Sequence, residues 1–257
     1  MPFDFVWRAA LQAASGAVLI VSVVGCNDGN AAGGAPGKRG ADATTSGAGK
    51  GSYVLETQLR PEVPEKYFKA ERFGYGVCIA SAKMNKLPVK PFPAMPPGYV
   101  MSRDIYASDG KRFVHRSFTN GLDTRKMKPE SACEARFVSR QFVTLQSDGQ
   151  DRTAEQDEDG NFAVTDQVEA LNEPVRASLV ASYTQGKQMN GVALKCDEAS
   201  ICIVDPKVAL VAEGWRPVQV AFRDDNPQTH GTALIREPVS LVAGKPVDPA
   251  LFLLEAK

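Results

Sequence analysis

The chain has 257 residues, and its 30 lysines and arginines balance its 30 aspartates and glutamates. That balance leaves no field of one sign to steer it toward nucleic acid or an acidic partner. With only two histidines, His115 and His230, most routes to a histidine triad or a metal hydrolase are excluded as well.

Arg8 opens a run of small and apolar residues, 9–25, that closes on Val23-Val24-Gly25-Cys26. A charged residue followed by a run of this length reads as an export signal, and the run is short for a membrane span. Gln12, Ser15, Gly16 and Ser22 interrupt it, which disfavours the competing reading of an uncleaved anchor. The closing tetrapeptide resembles the lipobox of bacterial lipoproteins: an aliphatic residue, a short one, glycine, then cysteine. The resemblance implies a signal peptide over 1–25, a diacylglycerol on the thiol of Cys26 and acylation of the new amino terminus. Each acyl CH₂ buried in the bilayer contributes ~0.8 kcal/mol, so two or three chains hold a protein there almost permanently. In that family an aspartate just after the cysteine retains the protein in the inner membrane. Asn27 stands there instead, so the resemblance implies the outer membrane of the cell envelope, facing the periplasm.

Residues 27–52 hold eight glycines, and their only apolar side chains are alanines and Pro36. Such a segment cannot bury enough surface to offset the entropy of ordering, and it is expected to be a flexible tether between the lipidated Cys26 and a single head domain over 53–257. Gly49-Lys50 does not make a phosphate loop, because Gly51 follows where serine or threonine is needed.

With Cys26 assigned to lipid, four cysteines remain, an even number in a chain that meets an oxidising compartment. Cys196 and Cys202 flank five residues between two strand-like runs, a spacing at which a hairpin brings two sulfurs face to face, so we pair them and leave Cys78 for Cys133. A zinc site would need close ligand pairs, and there is no Cys-x-x-Cys. No cofactor and no metal are expected.

In chain order, 53–57 and 75–80 read as strands, joined and followed by a proline-dense extended connection from Pro61 to Pro97. Residues 99–118 read as a hairpin around Asp109-Gly110, a dipeptide suited to a two-residue type I′ loop. That register sets Asp104 opposite His115, a possible pH-sensitive pair. It also sets Arg103 opposite Arg116, which implies a different register or an anionic group, such as a lipid headgroup, on that face. The segment 132–145 fits helix first and strand later. Glu155, Asp157, Asp159, Gly160 and Asp166 fall on the EF-hand positions, with poor residues at both ends and a hairpin turn as the simpler reading. Asp166 with Glu169 forms a capping box for a helix to Gly186, interrupted by Pro174. From Gly191 onward, 192–196, 201–204, 208–212, 216–223, 232–236 and 238–242 read as strands joined by tight turns.

The fold class expected is α+β, mainly β: a curved antiparallel sheet, half-barrel-like, with one or two covering helices. Leu194-Lys195-Cys196, Cys202-Ile203-Val204-Asp205-Pro206 and residues 246–252 resemble the final third of extracytoplasmic proteins with a LolA-like half-barrel, some of which hold acyl chains. The resemblance covers about 65 residues and implies no site residue.

Gly-x-Ser-x-Gly, His-Glu-x-x-His and Gly-x-Gly-x-x-Gly are all missing from the sequence, and the head is expected to be non-catalytic. His230 after Asp224 and Asp225 is the nearest approach to a catalytic arrangement. Two readings stand: a lipid-anchored module binding an apolar or lipid-like ligand in its half-barrel, with Arg103 and Arg116 as candidate ligand residues, and an accessory component of an envelope protein assembly.

Overall fold

Alternate side chains of β1 (Tyr53–Pro61) divide between two faces: Tyr53, Leu55 and Thr57 are buried on one, while Val54, Glu56 and Gln58 are half-buried on the other. This strand sits inside the sheet and is covered on both sides. The structure is a computed structural model that describes residues 51–123, 133–156, 160–169, 175–225 and 231–254. Cys26, residues 27–50 of the expected tether and His230 lie outside the described residues, as do Asp157, Asp159 and Pro174.

The remaining strands of the main sheet are β2 (Ser102–Ser108), β3 (Phe113–Asp123), β4 (Arg136–Ser147), β5 (Gln150–Gln156) and β6 (Phe162–Glu169) on one side of β1. Three further strands, β7 (Gln185–Met189), β8 (Val192–Cys196) and β9 (Cys202–Val204), make a separate antiparallel sheet. The two-residue strands β10 (Ala212–Glu213) and β11 (Arg216–Pro217) form a small hairpin. Finally, β12 (Phe222–Asp224) and β13 (Leu234–Ala243) return to the main sheet. Its order is β12, β13, β1, β2, β3, β4, β5, β6, antiparallel throughout and curved. The protein is thus α+β and mainly β, as its alternating patterns lead one to expect.

Two layers cover this sheet. Over the face carrying Tyr53, Leu55, Tyr106 and Phe113 lie Val192, Leu194 and Val204 of the small sheet, with Val211, Val218 and Val220, in one continuous core. Cys196 and Cys202 face each other across β8 and β9 and are joined by a disulfide. Over the opposite face, the C-terminal segment with its 3-10 helix Pro249–Phe252 lays Phe252 on Ala107, Val114, Val143 and Leu145.

The largest departure from expectation is α1 (Pro64–Met84), which absorbs the strand expected at 75–80. Pro64 in its first turn has no N–H to leave unsatisfied and holds the φ a helix needs. Tyr67, Phe68, Tyr75, Cys78 and Ala82 then recur on one side and are buried. Tyr67 and Phe68 pack with Tyr99, and Phe68 also meets Phe137. The Tyr75 hydroxyl lies between the carbonyls of Lys90 and Cys133, which share its one proton. A disulfide joins Cys78 to Cys133. Where the chain returns beside α1, Gly231 adopts φ +68°, and a Cβ there would stand 3.1 Å from the Lys66 carbonyl oxygen.

Other expectations change too. The helix expected from Asp166 is strand β6, and only α2 (Ala177–Ala181) in that region is helical. The helix-first reading of 132–145 gives way to β4. Most of 208–212 is turn and loop, and 216–223 divides between β11 and β12. The two strands expected at 232–242 are one, because a bulge at Val239 lets buried Pro238 sit opposite Thr57 without breaking the ladder.

The Cys78–Cys133 bridge closes 55 residues and ties α1 to the segment that leads into β4. Replacing both cysteines with alanine should lower unfolding free energy by about 4 kcal/mol in the chain-entropy account. Urea denaturation of the two proteins measures it.

Candidate functional site

The hairpin of β2 and β3 is present, but its loop has four residues rather than two. Asp109 enforces the longer loop: its carboxylate accepts from the backbone N–H of Lys111 at 2.9 Å and of Arg112 at 2.7 Å. Gly110 alone of the expected pair takes positive φ, at 86°. The register therefore slides by two. Asp104 pairs with Ser117, Tyr106 with His115, Ile105 with Arg116 and Arg103 with Phe118.

A slide of two keeps every side chain on its face. Asp104 and His115 remain neighbours, now diagonally, with His115 Nε2 3.3 Å from Asp104 Oδ1. They are the centre of a polar cluster between the main sheet and the β10–β11 hairpin, in which Asp104 and Tyr106 are buried, His115 and Arg236 are half-buried and Glu213 sits at the solvent rim. Glu213 on β10 reaches His115 Nδ1 at 3.5 Å. Arg236 on β13 extends across β1 to Asp104 Oδ2 at 3.2 Å and donates to the Tyr106 hydroxyl at 3.2 Å. Ser102 donates to Asp104 at 3.2 Å. The Tyr106 ring stacks on the His115 imidazole, centroids 4.3 Å apart. Thr57 Oγ1 and Arg236 Nε are buried beside these groups without a partner of their own.

The charges decide what this arrangement can do. Burial pushes the Asp104 carboxyl upward, but the His115 hydrogen bond, the Arg236 charge and the Ser117 hydroxyl outweigh it and hold the group below the usual aspartate range. Burial pushes His115 downward, yet hydrogen bonds to Asp104 and Glu213 and their charges raise it to about 9. At neutral pH the ring is imidazolium, with both nitrogens donating to carboxylates. It has no lone pair with which to begin as a general base. Two cations, His115 and Arg236, face two anions, Asp104 and Glu213, so the cluster is a neutral ionic clasp between sheet and hairpin. Removing His115 or Arg236 takes a partner from the buried Asp104 carboxylate, which is where such clasps are costly to break.

The candidate arginines are separated by the same slide. Arg103 is exposed and its Nε lies 3.2 Å from Glu56. Arg116 is buried, donates through Nε to the Leu251 carbonyl at 3.0 Å, and also donates to that of Leu253. Its work is to hold the C-terminal segment against the sheet. Burial lowers its pKa, and among the described residues no carboxylate pairs with it. Of the EF-hand positions, Glu155 and Asp166 stand on β5 and β6 opposite Ala163 and Thr153. No cluster of three metal-binding side chains exists among the described residues. A polar recess lies at the far edge, lined by Asp148, Gly149, Gln150, Gln167, Val168 and Glu169.

The contributions of Arg236, Glu213 and Tyr106 were beyond sequence reasoning, which had only the local Asp104 and His115 pair. An arginine in an otherwise apolar strand, Leu234-Ile235-Arg236, was the available signal. The chain matches no protein-family model, no curated protein and no solved structure.

The folded pKa of His115 lies above its ordinary 6.5, so its stabilisation is complete below that pH and is lost as pH rises through about 9. Asp104 lies below its ordinary 3.8, so its share is present above that value and lost on further acidification. The unfolding free energy from urea denaturation should therefore fall between about pH 6.5 and 9 by an amount on the order of 3 kcal/mol, and His115→Phe should remove that alkaline limb. Asp104→Asn should return the His115 C2 proton titration toward its ordinary value, read by NMR.

Proposed function

We propose that the chain is a bacterial envelope lipoprotein, lipid-anchored at Cys26 in the outer membrane and facing the periplasm, whose head is a non-catalytic accessory module of an envelope assembly. The observation that carries the reading is the closure of Cys78, Cys133, Cys196 and Cys202 in two disulfides. Two such bridges suit an oxidising compartment, and they leave Cys26 as the one sulfur free for lipid.

For the head, the accessory role is favoured over a carrier of apolar ligands because the chain's own side chains cover both faces of the central strands β1 to β3. The small sheet occupies one, and α1 with the C-terminal segment occupies the other. Among the described residues, the cluster with catalytic residue types holds its histidine as a cation between carboxylates. At the end of the sheet order, β6 pairs among the described residues with β5 alone and exposes nearly all its side chains, an edge to which an extended partner segment can add.

Cells supplied with radiolabelled palmitate should label the protein, and Cys26→Ser should abolish the label and release the head from the membrane fraction. Equal membrane retention of the Cys26→Ser form would overturn the anchor. Native mass spectrometry of the purified protein should show no stoichiometric lipid beyond the covalent one. A tightly held acyl ligand would restore the carrier reading.

A further inference from the structure

α1 has two apolar sides. Its inner side, Tyr67, Phe68, Tyr75, Cys78 and Ala82, is buried. Phe73, Val77 and Met84 recur along nearly the opposite side and are 80%, 64% and 79% exposed. Ala80 lies between them and is exposed as well. Three large apolar side chains in one helical stripe differ from the scattered apolar residues normal on a surface.

The charges around the stripe are sorted. Lys69, Arg72 and Lys83 are exposed along one flank, and small residues, Ala70, Gly74 and Ser81, line the other. The helix's two acids stay clear of the middle and end of the stripe: Glu65 sits in the first turn, and Glu71 is turned toward Tyr67 and Tyr99 on the inner side. An apolar ridge beside a row of cations is the composition of a helix that lies in a membrane interface, with its ridge among acyl chains and its cations among phosphates.

We propose that this outer face of α1 seats the head on an anionic lipid surface. The proposal rests on the lipoprotein reading for its source of lipid. Residues 27–52 could extend to roughly 90 Å at full stretch, against about 30 Å for the length of β1 that separates Tyr53 from the start of α1. An anchor at Cys26 thus leaves α1 free to reach the same bilayer. Once the chain is anchored, the weak attraction of a single helical face acts at high effective concentration.

Phe73→Trp in the full chain, mixed with vesicles of phosphatidylglycerol and phosphatidylethanolamine brominated on their acyl chains, tests the proposal. Fluorescence added over the parent protein, whose own tryptophans are Trp215 and, until the signal peptide is cleaved, Trp7, should be quenched by these vesicles. Vesicles of brominated phosphatidylcholine alone should quench it far less, and high salt should relieve the quenching. Adding Val77→Glu should weaken the effect about tenfold, the partition cost of withdrawing roughly one aliphatic side chain from the bilayer. No quenching by anionic vesicles would overturn the proposal, as would an indole at position 73 that is already buried in a protein dimer before vesicles are added. Repeating the measurement with Cys26→Ser separates the two claims. Quenching without palmitate labelling would sink the anchor and keep the helix seat, whereas labelling without quenching would do the reverse.

Discussion

The pairing of β1 with β13 is the constraint on which the rest of the structure depends. It joins the first described strand to the last, Tyr53 to Ala243 and Pro61 to Leu234, and so must close a loop that contains nearly every other element. Once β13 lies beside β1, β12 has an edge to join, and the strand that follows β1 on its other side, β2, is brought within reach of Arg236. Closing so long a loop is entropically expensive, but the expense grows only slowly with length. It is offset by burying Leu55 and Pro238 in the middle of the sheet.

The ionic clasp follows from that closure. Asp104 and His115 come from one hairpin and would meet with or without the rest of the chain. Arg236 and Glu213 arrive from strands far away in sequence, and they turn a local contact into a charge-balanced network around the buried Asp104. The consequence for chemistry is the reverse of what the residue types suggest. Aspartate, histidine and glutamate in a row look like the parts of a proton relay, yet a second carboxylate on the far nitrogen fixes the ring as a cation. The same residues that could make a base make a fastening instead.

What the sequence discloses and what it hides can be traced to particular residues. The hairpin of β2 and β3 was readable because Asp109-Gly110 is flanked by alternating apolar residues. Its register was not, because the Asp109 carboxylate capping Lys111 and Arg112 is a detail of the loop that a dipeptide rule does not contain. The error of two residues preserved the Asp104 and His115 neighbours and destroyed the Arg103 and Arg116 pair. The first is a property of the face, and the second is a property of the register. Asp166 and Glu169 satisfied a capping box, but β5 was waiting with an open edge, and pairing overrode a local signal that needed no partner. The disulfide partners were readable for a simpler reason: with Cys26 set aside, the short spacing of Cys196 and Cys202 left one remaining combination.

α1 was the hardest element to see, and the cause is informative. A helix with one apolar side shows a clean period, but one with apolar residues on two sides does not. Tyr75, Cys78 and Ile79 belong to the inner side while Val77 and Ala80 belong to the outer, so together they read as the continuous run of a strand. Gly74 and Gly76 weakened the helical signal further. A sequence written only for the core would have placed lysine or glutamate at Phe73, Val77 and Met84, and the helix would then have been obvious. The residues that obscured it are those the fold itself leaves uncovered, on a helix held in place from its other side by the Cys78–Cys133 bridge and the Tyr67, Phe68 and Tyr99 rings. Packing therefore accounts for the inner side of α1 and gives no reason for the outer one.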